Sequence, residues 1–280
     1  MSMMSSVVRH HWWHKQCKKR GIEVNQSNLF VVAVMPCTAK KDEMHRSQLA
    51  MPNGKPETDA VLTVREFARL MEFRGVASRQ NFASFANIPE AHFDDPLGES
   101  TGAAVIFGVT GGVMEAALRT ATFFLGGKDL ENLEYEEVRG LYGIKKSSLT
   151  VGANSELDLR VAVCHQMKNV REFLAEIENG DANYHFIEVM TCPGGCIGGG
   201  GLPQSRDPDI LSKRISSVYS IDERRKKRKS HENESVKKLY RKLLHQPLSE
   251  MSHKLLHTHY TGKFHWTLLF VAWIADADSP

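Results

Sequence analysis

The residues best suited to chemistry lie in Phe186–Pro203, FIEVMTCPGGCIGGGGLP. Cys192 and Cys196 flank Pro193-Gly194-Gly195, and four glycines, Gly198–Gly201, follow. Thiolates are soft ligands that suit iron in iron–sulfur clusters. Glycines let a backbone approach closely and turn its N–H groups inward as donors to a negatively charged cluster. The spacing alone is equally compatible with a zinc loop, a redox pair or an ordinary turn with buried thiols. A second segment narrows the choice. Asn28–Glu43 reads NLFVVAVMPCTAKKDE, with Cys37 just beyond an apolar run and Lys40 three residues further on. A thiolate at a strand end with a lysine nearby suits an anionic cofactor.

The elements that must position these residues follow from periodicity. Tyr184–Val189 reads as a buried strand leading into the cysteine loop. Within a strand spanning Ser27–Met35, the valine-rich run Leu29–Met35 reads as buried on both faces. Leu159–Cys164 is another buried strand, and Val170–Ile177 a helix before Gly180. Thr63 caps a helix through Met71, with Glu66 at the capping-box spacing. Pro52–Pro56 is a loop, and Gly102–Ala121 starts on glycines and ends in the helix-forming run Val113–Leu118. Ala77–Pro96 is expected to be irregular and to lie over the cofactor. Alternating strands and helices imply an α/β architecture with largely parallel sheets. Cys37 and Cys192 then fall at strand ends, where such folds place cofactors.

Taken together these segments resemble the C-terminal part of the catalytic domain of iron-only, or [FeFe], hydrogenases. The family's second cysteine segment is similar to Met35–Glu43, MPCTAKKDE, and its third to Glu188–Cys196, EVMTCPGGC, with the glycine run. Gly98–Ala121 (GESTGAAVIFGVTGGVMEAALRTA), Asp59–Glu66 (DAVLTVRE) and Val138–Lys145 (VRGLYGIK) are similar as well. Lys229–Tyr260 resembles the family's small C-terminal helical segment. The resemblance runs from about Ile22 to Tyr260. It implies a two-lobed α/β iron-only hydrogenase catalytic domain, incomplete, with a C-terminal helical segment. Residues 1–212 would form the partial large-subunit-like region, 213–260 the small-subunit-like helices, and 261–280 a tail of unclear status.

The same resemblance implies the cofactors and the site. A [4Fe-4S] cubane would be ligated by Cys37, Cys192 and Cys196, with the Cys196 sulfur bridging to a diiron subsite that carries CO, cyanide and a bridging dithiolate. Lys40 would contact a cyanide, and Met35, Met190 and Phe107 would line the diiron pocket, together with Gly108 and Val113. The implied activity is reversible reduction of protons to H2, with electrons exchanged through ferredoxin or another carrier and the site built by hydrogenase maturation proteins. Read as ordinary residues, the methionines and Phe107 are packing groups and Lys40 belongs to a surface lysine pair, as Lys41 does. The family's first segment, a Cys-Cys-Pro element that supplies a cubane ligand and the proton-delivering cysteine, has no counterpart upstream of Cys37. The chain is therefore expected to be a fragment, a truncated gene model or half of a split protein, and inactive alone. The alternative is a hydrogenase-like iron–sulfur cluster assembly factor without a diiron subsite. Retention of Lys40, Met190, Phe107 and TGGVMEAALR favours the hydrogenase lineage. A hydrogen-sensing relative is a third reading that these motifs leave open.

Bulk composition agrees with this. A net charge of +3 over 280 residues does not argue for nucleic acid. Five cysteines do not make a secreted disulfide framework. They suit a cytoplasm or a reducing organelle such as a hydrogenosome or mitochondrion. Residues before Glu23 are basic and serine-containing, compatible with a transit peptide, although a helix over His10–Arg20 accounts for them more simply. The apolar stretch Phe264–Ile274 falls short of the roughly 20 residues needed to span a membrane. Arg224–Lys229, RRKKRK, reads as a solvated helix face rather than a nuclear signal or nucleic-acid patch, with docking of an acidic electron carrier as a further use. Two histidine groups, His10/His11/His14 and His253/His257/His259, lack the partners of a complete metal site and are taken as structural or surface residues. Cys17 and Cys164 sit in helical and strand contexts and are taken as structural.

Overall fold

The computed structural model describes residues 1–74, 97, 100–126, 134–151, 157–180 and 183–259. They form two units, one of Met1–Gly98 with Gly200–Gln204 and Ser235–Thr261, the other of Glu99–Gly199 with Ser205–Glu234. The sequence expectations for Ala77–Pro96, Phe264–Ile274 and the tail 261–280 lie outside the described residues. Among the described residues no helix is long and apolar enough to cross a membrane.

The first unit opens on α1 (Ser2–Val7), a π-helical stretch (Val8–Trp13) and α2 (His14–Arg20). The helix expected over His10–Arg20 thus starts earlier, and Gly21, with φ 65°, ends it in a left-handed cap. Arg9 is fully buried, ion-paired with Asp59 at 2.5 Å and donating to the Glu57 carbonyl at 2.7 Å. A buried guanidinium persists only when so partnered. β1 (Val32–Met35) lies parallel to β2 (Ala60–Thr63), in register from Val32↔Ala60 to Met35↔Thr63.

Two expectations for β1 need correction. It does not begin at Ser27, because Gln26–Asn28 is a 3-10 turn in which the Asn25 side chain accepts from Ser27 N–H. Nor is it buried on both faces, since Val32 and Val34 are 46% and 40% exposed. A β-branched run favours extended backbone but does not determine what covers it. α3 (Lys40–Glu43) follows the cysteine, and α4 (Val64–Phe73) begins with the full capping box. Thr63 Oγ1 accepts from Glu66 N–H at 3.2 Å, and the Glu66 carboxylate accepts from Thr63 N–H at 2.8 Å.

In the second unit, α5 (Gly102–Ile106) and α6 (Gly112–Gly126) are separated by the turn Phe107–Gly111. β3 (Ile144–Val151), β4 (Leu157–His165) and β5 (Phe186–Met190) form a sheet in the order β3-β4-β5. β4 and β5 are parallel and joined by α7 (Met167–Glu178), whereas β3 is antiparallel to β4. The sheet is therefore mixed rather than largely parallel. β3 reads IKKSSLTV, and its lysines and serines conceal a strand from a search for apolar runs. β4 contains the buried strand expected at Leu159–Cys164, with full burial confined to Val161–His165. Ala162 and Cys164 pack on Val170 and Phe173 of α7, and Val161 and Val163 pack on Met114 and Leu118 of α6. Burial pushes the Cys164 thiol up to about 11, consistent with a packed, protonated core residue.

α8 (Ile210–Glu223) lays Leu211, Ile215, Val218 and Tyr219 against Ala103 and Ile106 of α5. It ends before Arg224–Lys229, so the basic run is not a helix face. Arg228 turns inward to Asp222 at 2.8 Å, and Lys229 is buried. The carbonyls of Lys227 and Arg228 accept from Gly102 and Ala103 N–H, serving the start of α5. Helices α9 (Glu234–Leu239) and α10 (Glu250–Leu256) follow, and Leu239, Leu244 and Leu255 cluster with Val7 in the first unit.

An ionic network fastens α8 to α6. Arg119 donates to both oxygens of Asp222, at 2.9 and 2.8 Å, and to Glu115 at 2.7 Å; all three side chains are fully buried. Arg139 makes a two-pronged contact with Glu115 at 2.9 and 2.7 Å, and Tyr219 donates to Glu115 at 3.1 Å. Burial acts to raise the Asp222 pKa, but hydrogen bonds from Arg119 and Arg228 hold it below the ordinary carboxylate value. Its folded pKa is thus the lower one. The stabilisation is complete above the ordinary range near pH 4 and drains away as pH falls through the depressed folded value. Asp222→Ala leaves Arg119 buried with reduced compensation, and a loss of about 3–5 kcal/mol is expected. Chemical denaturation should show that loss at neutral pH and a flatter acid limb for the variant; a loss under about 1 kcal/mol would show that the network adds little.

Candidate metal centre

Cys192 and Cys196 lie in the second unit. β5 ends at Met190, whose carbonyl accepts from Gln166 N–H at 3.0 Å. The chain then doubles back on itself. Gly195 N–H donates to the Cys192 carbonyl at 3.1 Å, Gly198 N–H to Gly195 at 3.0 Å and Gly199 N–H to Cys196 at 3.0 Å. The turn Phe107–Gly111 is stitched to the loop twice: Thr110 N–H donates to the Gly194 carbonyl at 3.0 Å, and Ile197 N–H donates to Gly108 at 3.1 Å. Gly194 N–H donates to His165 Nδ1 at 3.0 Å. The cysteines are reduced thiols, Cys192 half-buried and Cys196 exposed.

This geometry corrects one expectation. The amides of Gly194, Gly195, Gly198 and Gly199 are spent on protein acceptors, so they do not stand as donors to a cluster. The glycines serve the turn itself. Gly195 has φ 91° and ψ −151°, a region open essentially to glycine alone. A Cβ there would lie 2.7 Å from Met190 Sδ and 2.8 Å from Thr110 N. Met190 therefore packs directly on the cysteine loop. Phe107 is 47% exposed and immediately precedes Gly108, the acceptor for Ile197.

Beneath the loop are three buried polar residues that the motifs did not single out for chemistry. Glu188 accepts from Gly111 N–H at 2.6 Å and from Met114 N–H at 2.7 Å, closing the start of α6. Burial raises its pKa, against the pull of those amides and of Lys145. Lys145 donates to the Gly140 carbonyl at 2.9 Å, and burial lowers it to about 8. His165 also contacts the Leu141 carbonyl through Nε2 at 3.2 Å, and burial lowers its pKa. One signal for Glu188 was present in the sequence: a lone acid inside the apolar strand FIEVM must be partnered if the strand is buried.

Met35, Cys37 and Lys40 belong to the first unit. β1 delivers Met35, and the Pro36 carbonyl just before Cys37 accepts from Gly201 N–H at 2.9 Å. A Cβ on Gly201 would lie 2.9 Å from both the Pro36 oxygen and Thr63 Cβ, so only glycine fits this approach. Cys37 is half-buried. Lys40 forms a close ion pair with Glu43, which also accepts from the Ser2 hydroxyl at 2.9 Å. Burial acts to raise Glu43, but these donors hold it below the ordinary range. Lys41 is engaged as well, to Glu66 at 3.0 Å and to the Val61 carbonyl at 3.2 Å. A polar cleft beside Lys40 is lined by Ser2, Ser6, Glu43, Arg46 and Glu57.

The donor chemistry fits an iron–sulfur cluster. Cys192, Cys196 and Cys37 carry soft sulfur atoms of the kind that iron takes as donors, each at a loop position. Beside the second-unit loop, the buried Thr110 hydroxyl has no protein partner among the described residues. Neither unit by itself gathers three His, Cys, Asp or Glu side chains for a metal ion among the described residues. Of the two histidine groups, His10 contacts Glu57 at 3.3 Å, and the His253 and His257 rings lie 4.6 Å apart.

Residues 1–200 match the model of the iron only hydrogenase large subunit, C-terminal domain, and residues 208–263 match that of the iron hydrogenase small subunit. Over 238 residues the chain is 49% identical to the NADP-reducing hydrogenase subunit HndD of Solidesulfovibrio fructosivorans, covering 85% of this chain and 39% of that protein. A cytosolic Fe-S cluster assembly factor, narfl of Xenopus tropicalis, is 26% identical across 92% of this chain and 52% of its own length. Among solved structures, a variant of [FeFe]-hydrogenase HydA1 from Chlamydomonas reinhardtii is similar at a TM-score of 0.73 and 34% identity, covering 92% of this chain and 68% of that one. The chain spans about two fifths of the length of its hydrogenase relative.

The strain at Gly195 can be separated from its crowding. Gly140 has a similar φ of 90° but no neighbour within 4 Å of a Cβ. Gly140→Ala should cost about 1–2 kcal/mol from backbone strain alone. Gly195→Ala adds a clash with backbone and should cost at least about 1–3 kcal/mol more. Denaturation midpoints compare the two, and equal costs would contradict the close packing of Met190 and Thr110 on the loop.

Proposed function

The chain belongs to the iron-only hydrogenase family, and from that premise we propose that it supplies ligands and pocket residues to a site for reversible reduction of protons to H2. The observation that carries this is the cysteine loop, with its two thiols at the ends of a turn whose own amides are satisfied by protein. Cys37, Cys192 and Cys196 would hold a [4Fe-4S] cubane, and Cys196 would join it to a diiron subsite with CO, cyanide and a bridging dithiolate. When bound, this group supplies electron transfer and the open iron position for hydrogen chemistry.

The chain's own residues orient and enclose. Lys40, held at the start of α3 by Glu43, offers N–H donors to an anionic iron ligand. Met190 packs on the loop that carries both second-unit cysteines, and with Met35 and Phe107 would give the diiron subsite apolar walls. We place residues 1–212 in the large-subunit-like region and 213–260 in the small-subunit-like helices. Electrons would pass to and from ferredoxin or a similar carrier, and maturation proteins would install the diiron group. A reducing compartment suits the reduced thiols, whether cytoplasm or a hydrogenosome- or mitochondrion-like organelle. A second reading is favoured by the assembly-factor relative, whose match extends over 92% of the chain: a cluster-assembly protein that holds iron and sulfur but no diiron group.

Infrared spectroscopy separates the two. The 280 residues contain no Cys-Cys-Pro element, so H2 turnover by them alone is expected to be negligible. Complemented with a polypeptide bearing that element and matured with a synthetic diiron cofactor, the chain should show bands of iron-bound CO and cyanide. Lys40→Asn should weaken those bands and leave the cubane absorbance intact. Absence of the bands in the complemented wild type would favour the assembly reading, and an unchanged spectrum in Lys40→Asn would remove Lys40 from the site.

A further inference from the structure

His165 ends β4, four residues before the Asn169 side chain that donates to its carbonyl at 2.8 Å. It is 1% exposed. Its ring reaches two loops at once, neither of them its own. Nδ1 accepts from Gly194 N–H at 3.0 Å, inside the Cys192–Cys196 loop, and Nε2 meets the Leu141 carbonyl at 3.2 Å. A backbone N–H can only donate and a carbonyl can only accept. The two contacts together therefore require the neutral ring with its proton on Nε2.

Gly194 is where the loop turns into the left-handed region, with φ 71°, and Gly195 follows at φ 91°. Other hydrogen bonds of the loop run within it, to the turn Phe107–Gly111, and from Arg214 of α8 to the Ile197 carbonyl at 2.7 Å. The bond to His165 is the one that ties the turning glycine to the end of the sheet. We propose that His165 is the positioning residue of the cysteine loop: by accepting Gly194 N–H it selects the turn that sets the directions of Cys192 and Cys196. For a cluster, this rests on the proposal that these cysteines are ligands. The effect on the loop itself does not depend on that proposal.

The test uses the full chain and two readouts. Hydrogen exchange at the Gly194 amide reports the loop in the metal-free protein. Iron retained against a chelator, after anaerobic reconstitution with iron and sulfide, reports the centre. His165→Ala should speed Gly194 exchange by about ten-fold, the equivalent of one net hydrogen bond, and lose iron faster. His165→Asn places a carbonyl oxygen near the Nδ1 position and should restore both readouts toward wild type. His165→Gln places its acceptor nearer Nε2 and should not. The Asn/Gln comparison stands even if the Ala variant fails to fold. A general loss of stability would speed exchange in both amide variants alike. Unchanged Gly194 exchange in His165→Ala, or no difference between Asn and Gln, would overturn the assignment. If the wild type takes up no iron while the exchange pattern holds, the ligand proposal falls and the positioning of the loop by His165 is upheld.

Discussion

The carboxylate of Glu188 fixes where the cysteine loop begins. It sits on β5 four residues before Cys192 and accepts from the N–H groups of Gly111 and Met114. A helix start leaves backbone donors without intrahelical partners, and a buried acid that accepts two of them satisfies both sides. The strand that leads to the cysteines and the helix beneath them are therefore locked in one relationship. Lys145 on β3 provides the opposing charge. Burial drives the carboxylate up and the ammonium down to about 8, so each depends on its hydrogen-bond partners to remain inside.

From that anchor the loop is built almost wholly by its backbone. Gly194 and Gly195 turn left-handed, Thr110 and Gly108 take up the loop's carbonyl and amide, and His165 takes the Gly194 amide. The amides of Gly194, Gly195, Gly198 and Gly199 are paired inside protein, at a turn that carries Cys192 half-buried and Cys196 exposed. The Arg119–Asp222–Glu115 network does similar work on the other side of α6, tying α8 to the same helix. Such pairs add modest net stability, because desolvation offsets much of their attraction, but removing one partner is costly. Their plainer effect is to allow one arrangement of α6 and α8.

The two cysteine segments were conspicuous in the sequence because cysteine, proline and glycine at short spacing stand out from the surrounding apolar runs. So were the capping box at Thr63 and the buried strand around Leu159–Cys164, where local pattern and burial agree from Val161 on. Other features were hidden for physical reasons. β3 is an edge strand with one face polar, so IKKSSLTV shows no apolar run. The exposure of Val32 and Val34 depends on what packs over β1, which a propensity pattern does not contain. Arg228 and Lys229 read as part of a solvated run, yet they fold inward because Asp222 and the start of α5 require them. The Glu115–Tyr219 contact joins residues 104 apart, a separation at which spacing carries no information.

The central claim is that the cysteine loop is built to hold iron and sulfur. Anaerobic reconstitution of wild type and Cys192→Ala, with iron and sulfide content and Mössbauer spectra measured side by side, tests it most directly. The account predicts an oxygen-sensitive, substoichiometric cubane in the wild type, with one iron site lacking a protein ligand, and no cubane in Cys192→Ala. Equal iron content and identical spectra in the two proteins would contradict it.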